Sequence, residues 1–355
     1  MKPVIIYGAN GYTGTLIAEA AAARAVPAIL AGRRKADVEK LAQRCQLPAS
    51  IFSLDDHAAL VEQLRAVHTV IHCAGPFSAT ARPMIEACIE AGTHYTDITG
   101  EWEVFLLAAE YDERARSAGV VLCPGVGFDV IPTDCLAWAL REKLPDAVEM
   151  HIAVDAALVL SPGSTKTLIE SFRRNDGIEQ RGGTLRRAEV APKVRQAEFV
   201  TGKKMIVSMP LGDLAAIARS SAVENVDVYH AMSPAAVKSM QKLNRLKPLL
   251  RLSLMQKLLK WYVGRSVRGP DVQRRESLPA HLWGQALNAA GKKISARIST
   301  PNGYTVTVDG ALAVASLLDD FSGGGYCTPA MLGGTALLTD LPGVSALEYL
   351  EAEHE

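Results

Sequence analysis

Val4-Ile5-Ile6-Tyr7-Gly8-Ala9-Asn10-Gly11-Tyr12-Thr13-Gly14 decides the fold of this chain. A short apolar run ends in three glycines spaced GxxGxxG, and an alanine-rich stretch follows. Physically this is a buried strand, a tight turn and a helix lying close to the strand. Gly8 supplies the turn, Gly11 lets backbone approach a pyrophosphate, and Gly14 lets the helix pack on the sheet. Amides at the start of such a helix suit an anion. Glycines alone are weak evidence; the strand before and the helix after make the dinucleotide reading specific. Asn10, Tyr12 and Thr13 fill the same turn and join Gly8, Gly11 and Gly14 as candidate cofactor contacts.

The next apolar run, Val26 to Gly32, ends at Arg33-Arg34 without an acid. An Asp or Glu there would accept hydrogen bonds from the adenosine ribose and repel a 2′-phosphate, whereas a guanidinium holds that phosphate bidentately. Cations in a first helical turn are also unfavourable unless an anion compensates them. The sequence therefore predicts NADP(H) over NAD(H), with Arg33 and Arg34 as phosphate contacts. The competing reading is a pair of solvated charges at a helix start.

Working outward, strand and helix patterns alternate: Ile51 to Leu54, Thr69 to Ala74, His94 to Asp97 and Gly119 to Cys123 read as strands. This rhythm predicts an α/β protein whose residues 1–145 form an N-terminal Rossmann-like NADP-binding domain on a largely parallel sheet. Asp55-Asp56 is placed to cap the helix after the third strand. Near residue 146 the pattern changes to longer strands, with a helix expected near Lys166 to Arg174. Lys293 to Ser299 and Tyr304 to Val308 flank Asn302-Gly303, which predicts a hairpin. Residues 146–310 are thus expected to form a second α/β domain on a mixed or antiparallel sheet, serving substrate binding or oligomerisation. The helices of 311–355 are expected to return to the first domain.

At 355 residues the chain can hold two domains, and 48% hydrophobic residues support a large core over disorder. Lys+Arg and Asp+Glu balance at 38 each, and no basic stretch alternates with stacking aromatics, so nucleic-acid binding is not expected. The six cysteines form no CxxC pair and read as buried thiols in a reducing compartment, with no metal site. No uncharged apolar run is long enough to span a bilayer, and no basic-then-apolar leader precedes the first strand. The expectation is a cytoplasmic protein, with one qualification. Met240 to Arg268 carries Lys242, Arg245, Lys247, Arg251, Lys257, Lys260, Arg265 and Arg268 and no acid. Apolar residues recur at helical spacing through 249–262, which predicts an amphipathic surface. It would serve as a peripheral contact at the inner face of a membrane, as a lid on a hydrophobic substrate, or as a homodimer contact.

Ligands of a doubly wound sheet bind beyond the carboxyl ends of its strands. Ala74-Gly75-Pro76-Phe77 is such an end and a candidate cofactor contact, with Phe77 as a wall beside the nicotinamide. Tyr95 and Asp97, two apart on an extended segment, share a face. Each is a candidate to deliver the proton that accompanies hydride transfer, or a member of a hydrogen-bonded scaffold. In Gly125 to Asp134, Gly127 and Phe128 are candidate cofactor contacts, Asp129 a candidate catalytic acid, and Asp134 a structural residue. Among the histidines, His94 reads as nearest the cleft and His72 as core.

Together, Gly8 to Gly14, Ala31 to Arg34, Cys73 to Phe77, Thr93 to Glu101, Pro124 to Asp134 and Gly324 to Pro329 resemble the saccharopine dehydrogenase-like oxidoreductases. Within that superfamily the chain looks most like the trans-acting enoyl reductase branch. The resemblance runs over almost the whole chain, and Gly127-Phe128-Asp129-x-x-Pro132-x-Asp134 is its sharpest marker. It implies an NADP(H)-dependent oxidoreductase with a second domain closing over the cofactor. The bond expected to be reduced is an activated carbon–carbon double bond of a hydrophobic, lipid-like or carrier-linked substrate. One alternative is a saccharopine-like amino-acid dehydrogenase acting at a C–N bond. The other is an NADP-binding membrane- or lipid-associated protein with little turnover. An apolar tunnel under 249–262 would favour the first reading, a polar cleft the amino-acid enzyme.

Overall fold

Every side chain of β1 (Val4–Tyr7) is buried, as a strand covered by helices on both faces requires. The chain continues through α1 (Tyr12–Ala23), β2 (Ala28–Gly32), α2 (Lys35–Cys45), β3 (Ala49–Ile51), α3 (His57–Arg65) and β4 (Thr69–His72). Next come α4 (Phe77–Ala91), β5 (His94–Asp97), α5 (Trp102–Glu110), α6 (Asp112–Ser117) and β6 (Val121–Cys123). Asp56 caps α3 as its position predicts, accepting from the Ala59 N–H at 3.1 Å. The computed structural model describes residues 3–156, 177–188, 193–209, 211–233, 235–237 and 278–350.

α7 (Ile131–Lys143) carries the chain to a second sheet, built from β7 (Ala147–Asp155), β8 (Gly177–Arg181), β9 (Thr184–Ala188), β10 (Val194–Phe199) and β11 (Gly202–Ser208). α8 (Gly212–Ser221) precedes β12 (Asn225–Ala231), β13 (Ala280–Asn288) and β14 (Lys293–Thr300). The chain then forms α9 (Gly303–Asp319), β15 (Gly325–Tyr326), α10 (Pro329–Gly333), α11 (Ala336–Thr339) and β16 (Glu348–Leu350).

The first sheet has the order β15-β6-β5-β4-β1-β2-β3 and is parallel throughout. Its order reverses between β1 and β4, which opens a crevice above their carboxyl ends. The second sheet runs β10-β11-β12-β7-β13-β14-β16, with β8 and β9 branching from β12. It is mixed, since β12 and β7 are parallel while β13 is antiparallel to both β7 and β14. α7 joins the two layers: a Cβ on Gly284 of β13 would come 2.7 Å from Leu140 Cδ1, so helix and sheet are in close contact. One apolar core is continuous across both sheets.

The hairpin expected at Asn302-Gly303 is a helix start instead. The Asn302 side chain accepts from the Tyr304 and Thr305 amides at 3.1 Å each, so its capping capacity outweighs its turn capacity. Tyr304 to Val308 is accordingly helical, and β14 pairs with β13 and β16. α9 returns to the first layer and lies along α1, where Arg24 pairs with Asp309. The helix expected near Lys166 to Arg174 and the basic segment 240–268, with its 249–262 surface, lie outside the described residues. Among the described residues no helix is long and apolar enough to cross a membrane.

Candidate active site

The glycine turn has the close contacts its spacing calls for. Gly8 sits at φ +80°, and a Cβ there would fall 2.8 Å from the Ala74 nitrogen, so the turn touches the β4 loop backbone to backbone. A Cβ on Gly14 would lie 2.5 Å from the Gly8 carbonyl oxygen. Gly11 precedes α1 without a side-chain cap, and its N–H donates to Gly8 O at 2.9 Å. The Thr15 hydroxyl donates to Ala9 O at 3.1 Å and pins the turn. The first-turn amides of Thr13 and Gly14 therefore open a helix that no side chain caps, the arrangement an anionic phosphate satisfies. Tyr12 meets Tyr304 of α9 edge-to-face at 5.0 Å, which walls one side of the turn.

The two arginines differ. Arg34 Nε lies 3.0 Å from Asp37 Oδ2. With the Asn10 amide turned oxygen-first toward it, Nε also donates to Asn10 at 3.0 Å. Arg34 thus ties the glycine turn to the end of β2. Arg33 is exposed and has no ion-pair partner among the described residues. An acid-free strand end with one uncommitted guanidinium fits the 2′-phosphate of NADP(H). Arg33→Ala is expected to weaken NADPH by roughly tenfold to a hundredfold, the loss of one charged contact of about 1.5–3 kcal/mol, and to leave NADH nearly unchanged. Arg34→Ala should do less, because Asp37 already offsets its charge. Calorimetric titration of both cofactors checks this; equal losses for NADPH and NADH would remove the phosphate contact from Arg33.

Ala74, Gly75 and Pro76 form the accessible edge of the crevice. Their loop is held from two sides. Thr80 donates its hydroxyl to Ala74 O at 2.7 Å, and His72 Nε2 lies 3.0 Å from the same hydroxyl. Glu101 accepts from the Phe77 and Ser78 amides at 2.9 and 2.8 Å. Glu101 therefore caps α4 and not its own helix α5, and Phe77 turns its ring edge-on to His72 at 5.4 Å. His72 is a core residue, pushed down to about 3 by burial and so neutral. His94 opens β5 at the opposite, amino edge of the sheet, where Nδ1 accepts from the Val121 N–H at 3.0 Å; it is not a cleft residue.

Tyr95 and Asp97 do share a face, but no part of either is exposed. Tyr95 donates its hydroxyl to Asp97 Oδ2 at 2.5 Å, while Asp97 Oδ1 accepts from the Thr99 and Gly125 amides at 2.9 Å each. Burial raises Asp97 to about 6 and outweighs the hydrogen bonds that favour its charged form. The pair is a buried strut that fixes the β5 loop against the β6 loop, so the scaffold role fits it and direct proton delivery does not. Gly127 and Phe128 likewise seat α9. The Phe128 N–H donates to Thr307 Oγ1 at 3.0 Å, and a Cβ on Gly303 would lie 2.9 Å from the Phe128 ring. Asp134 is structural, as expected: it accepts from the Ser220 hydroxyl at 2.5 Å and the Ala330 N–H at 2.8 Å, joining α7 to α8 and α10.

Asp129 differs from these. Its side chain reaches solvent beyond the carboxyl ends of β5 and β6, yet the protein around it is dense enough to raise its pKa by desolvation. Its carboxylate accepts no hydrogen bond from a described residue, so it is not a helix cap. Oδ2 would lie 2.8 Å from a Cβ at Gly100. The Gly212 N–H donates to Gly100 O at 2.9 Å and brings the next residue, Asp213, to the same loop; Asp213 is 2% exposed and accepts from its neighbour Leu214 N–H at 2.8 Å. Burial pushes Asp213 up to about 8, and the Asp129 charge adds to the shift. In the sequence Asp213 reads as one more acid in a helical first turn; only tertiary packing sets it beside Asp129. Arg187 of β9 lies 5.0 Å over the Trp102 ring and brings a cation from the second sheet to the start of α5.

Residues 4–123 match the saccharopine dehydrogenase NADP binding domain. A saccharopine dehydrogenase-like oxidoreductase of Mus musculus is 30% identical over 195 residues, 48% of this chain and 46% of that protein. A putative trans-acting enoyl reductase of Mycobacterium tuberculosis is 31% identical over 145 residues, 39% of this chain and 35% of that protein. The chain thus spans about half the length of the first and about a third of the second. Apo saccharopine dehydrogenase (L-Glu forming) from Saccharomyces cerevisiae superposes with a TM-score of 0.65 at 12% identity, over 99% of this chain and 100% of that one, so the likeness of fold takes in both sheets. The matched NADP-binding domain takes in β1 to β6 of the parallel sheet, and the architecture as a whole is similar in fold to saccharopine dehydrogenase.

Proposed function

We propose that the protein is an NADP(H)-dependent oxidoreductase acting at a carbon–nitrogen bond, with Asp129 facing the substrate nitrogen. One observation carries this reading: a carboxylate beyond the carboxyl ends of β5 and β6, without a cationic partner among the described residues and beside a second, buried acid. A protonated amine or imine compensates such a site, whereas an apolar enoyl chain would leave it uncompensated. The amino-acid dehydrogenase alternative is therefore preferred over reduction of a carbon–carbon double bond.

When bound, the nicotinamide supplies or accepts the hydride. The rest is work for this chain. Gly8 to Gly14 and Arg33 hold the phosphates, Glu101 keeps the β4 loop in place, and the Tyr95–Asp97 strut fixes the spacing of the neighbouring loops. Asp129 keeps a proton on the substrate nitrogen, which makes the adjoining carbon electrophilic, and takes that proton in the opposite direction. Arg187 offers a guanidinium to an anionic group of the same substrate.

The test follows NADPH oxidation with mixtures of 2-oxo acids and amines on one side, and short- and long-chain enoyl thioesters on the other. Turnover confined to the amine mixtures is expected. Turnover confined to the enoyl thioesters would overturn the C–N reading and restore the double-bond reading.

A further inference from the structure

We infer that Asp213 is a positioning residue for Asp129: the two residues, both brought to Gly100, act as one acid pair whose buried member governs the charge that Asp129 presents to the substrate. The inference rests on the reading of Asp129 given above and adds a residue that faces it from the second layer.

Gly100 is the spacer. A Cβ there would come 2.8 Å from Asp129 Oδ2. The Gly212 N–H donates to Gly100 O at 2.9 Å, and a Cβ on Gly212 would lie 3.1 Å from Gly100 C. A larger residue at Gly212 would drive into the Phe105 ring and the Gly100 backbone and push α8 away from the β5–α5 loop, and one at Gly100 would displace the Asp129 carboxyl. Because both are glycine, the first turn of α8 packs directly on that loop and carries Asp213 into the interior.

Among the described residues, the charged groups around the pair do not neutralise it. On the β5–α5 side, Glu101 is engaged with the α4 amides and Asp97 with Tyr95. On α7, Asp134 is committed to Ser220 and Ala330. On β9, Arg187 stacks over Trp102, and at the far end of α8 Arg219 pairs with Asp112 at 3.3 Å. Two carboxyl groups in such surroundings do not both ionise near neutrality, so the pair retains one proton. Helix-start amides favour the anion at Asp213, but burial and the Asp129 charge win, and the proton resides there. Asp129 is then left as the member that exchanges a proton with the crevice.

The experiment is a carboxyl-carbon NMR titration of the whole protein labelled at aspartate, without substrate. The Asp129 resonance is assigned as the one lost in Asp129→Asn. In the native protein it is expected to shift in two steps, one for its own proton and one near pH 8 as Asp213 ionises. Asp213→Asn should delete the second step and keep the first. A single-step Asp129 curve in the native protein would overturn the inference, and so would a second step that survives Asp213→Asn.

Thermal unfolding gives an independent measure. The folded-state pKa of Asp213 lies above its unfolded value, so the folded state holds the extra proton and native stability should fall as pH rises from about 4 to about 8. Asp213→Asn should flatten that fall; an unaltered pH dependence would count against the pair. Neither readout involves turnover. Coupling without C–N activity would refute the proposed reaction and keep the pair, and C–N activity with a single-step curve would do the reverse.

Discussion

Gly14→Ala is expected to weaken NADPH binding by roughly a hundredfold or more. The new Cβ would stand 2.5 Å from the Gly8 carbonyl oxygen and 2.9 Å from Ala9 Cα. Both are backbone atoms, so no rotamer change relieves the clash, and α1 must lift from the turn. Overpacking of this kind costs about 1–3 kcal/mol or more in stability. The larger effect falls on the phosphate turn, whose amides are displaced from the anion they should contact, with a loss of affinity of roughly a hundredfold or greater, about 2.8 kcal/mol. Gly92→Ala is the matched control. Gly92 ends α4 at φ +72°, with nothing within 4 Å of its added Cβ. It should lose about 1 kcal/mol of stability through backbone strain and bind NADPH normally. Fluorescence titration of NADPH and thermal unfolding of both variants decide the matter. Binding by Gly14→Ala within threefold of the native protein would mean that this turn does not hold the cofactor.

Asp129→Asn should leave NADPH affinity intact and lower the turnover number on a C–N substrate by about 10²–10⁴-fold, the usual contribution of a placed acid–base group. The amide keeps the shape of the carboxyl but cannot exchange the proton. Tyr95→Phe provides the contrast. It removes a buried hydroxyl from the Asp97 strut, and a stability loss of about 1–3 kcal/mol is expected with a much smaller change in turnover. Steady-state kinetics beside cofactor titration separates the two variants. Native turnover in Asp129→Asn would take proton exchange away from this residue.

The first sheet was legible because its signals are local. Gly8, Gly11 and Gly14 read as a turn wherever a strand precedes and a helix follows, and the alternating units after them leave few topologies open. Arg33 and Arg34 were legible as a pair, but not their division of labour, since Asp37 and Asn10 engage only the second. The Asn302-Gly303 hairpin failed because one dipeptide serves two structures, and the helix that follows could bury its face against α1. Tyr95 and Asp97 carry the residue types of a proton donor; that they are sealed is a fact of packing between β5 and β6. Asp213 was missed for the converse reason: nothing within its own helix shows that it packs at the same glycine as a carboxylate eighty-four positions earlier in the chain, beyond the local pattern.

The seventh strand of the first sheet has a consequence for biosynthesis. β15 pairs in parallel with β6, with Gly325 N–H donating to Val120 O at 2.8 Å and Cys327 N–H to Leu122 O at 3.0 Å. Roughly two hundred residues separate these partners, so a ribosome adding 5–20 residues each second exposes β6 about 10–40 s before its neighbour emerges. During that interval Val121, Leu122 and Cys123, all buried in the finished protein, present a bare hydrogen-bonding edge of the kind that recruits other chains. Nascent polypeptides stalled within the second sheet are therefore expected to be the form most dependent on chaperones. Translation must run past β14 before the first sheet is closed, and the last strand of the second sheet, β16, comes later still, so the two halves mature together and not in succession.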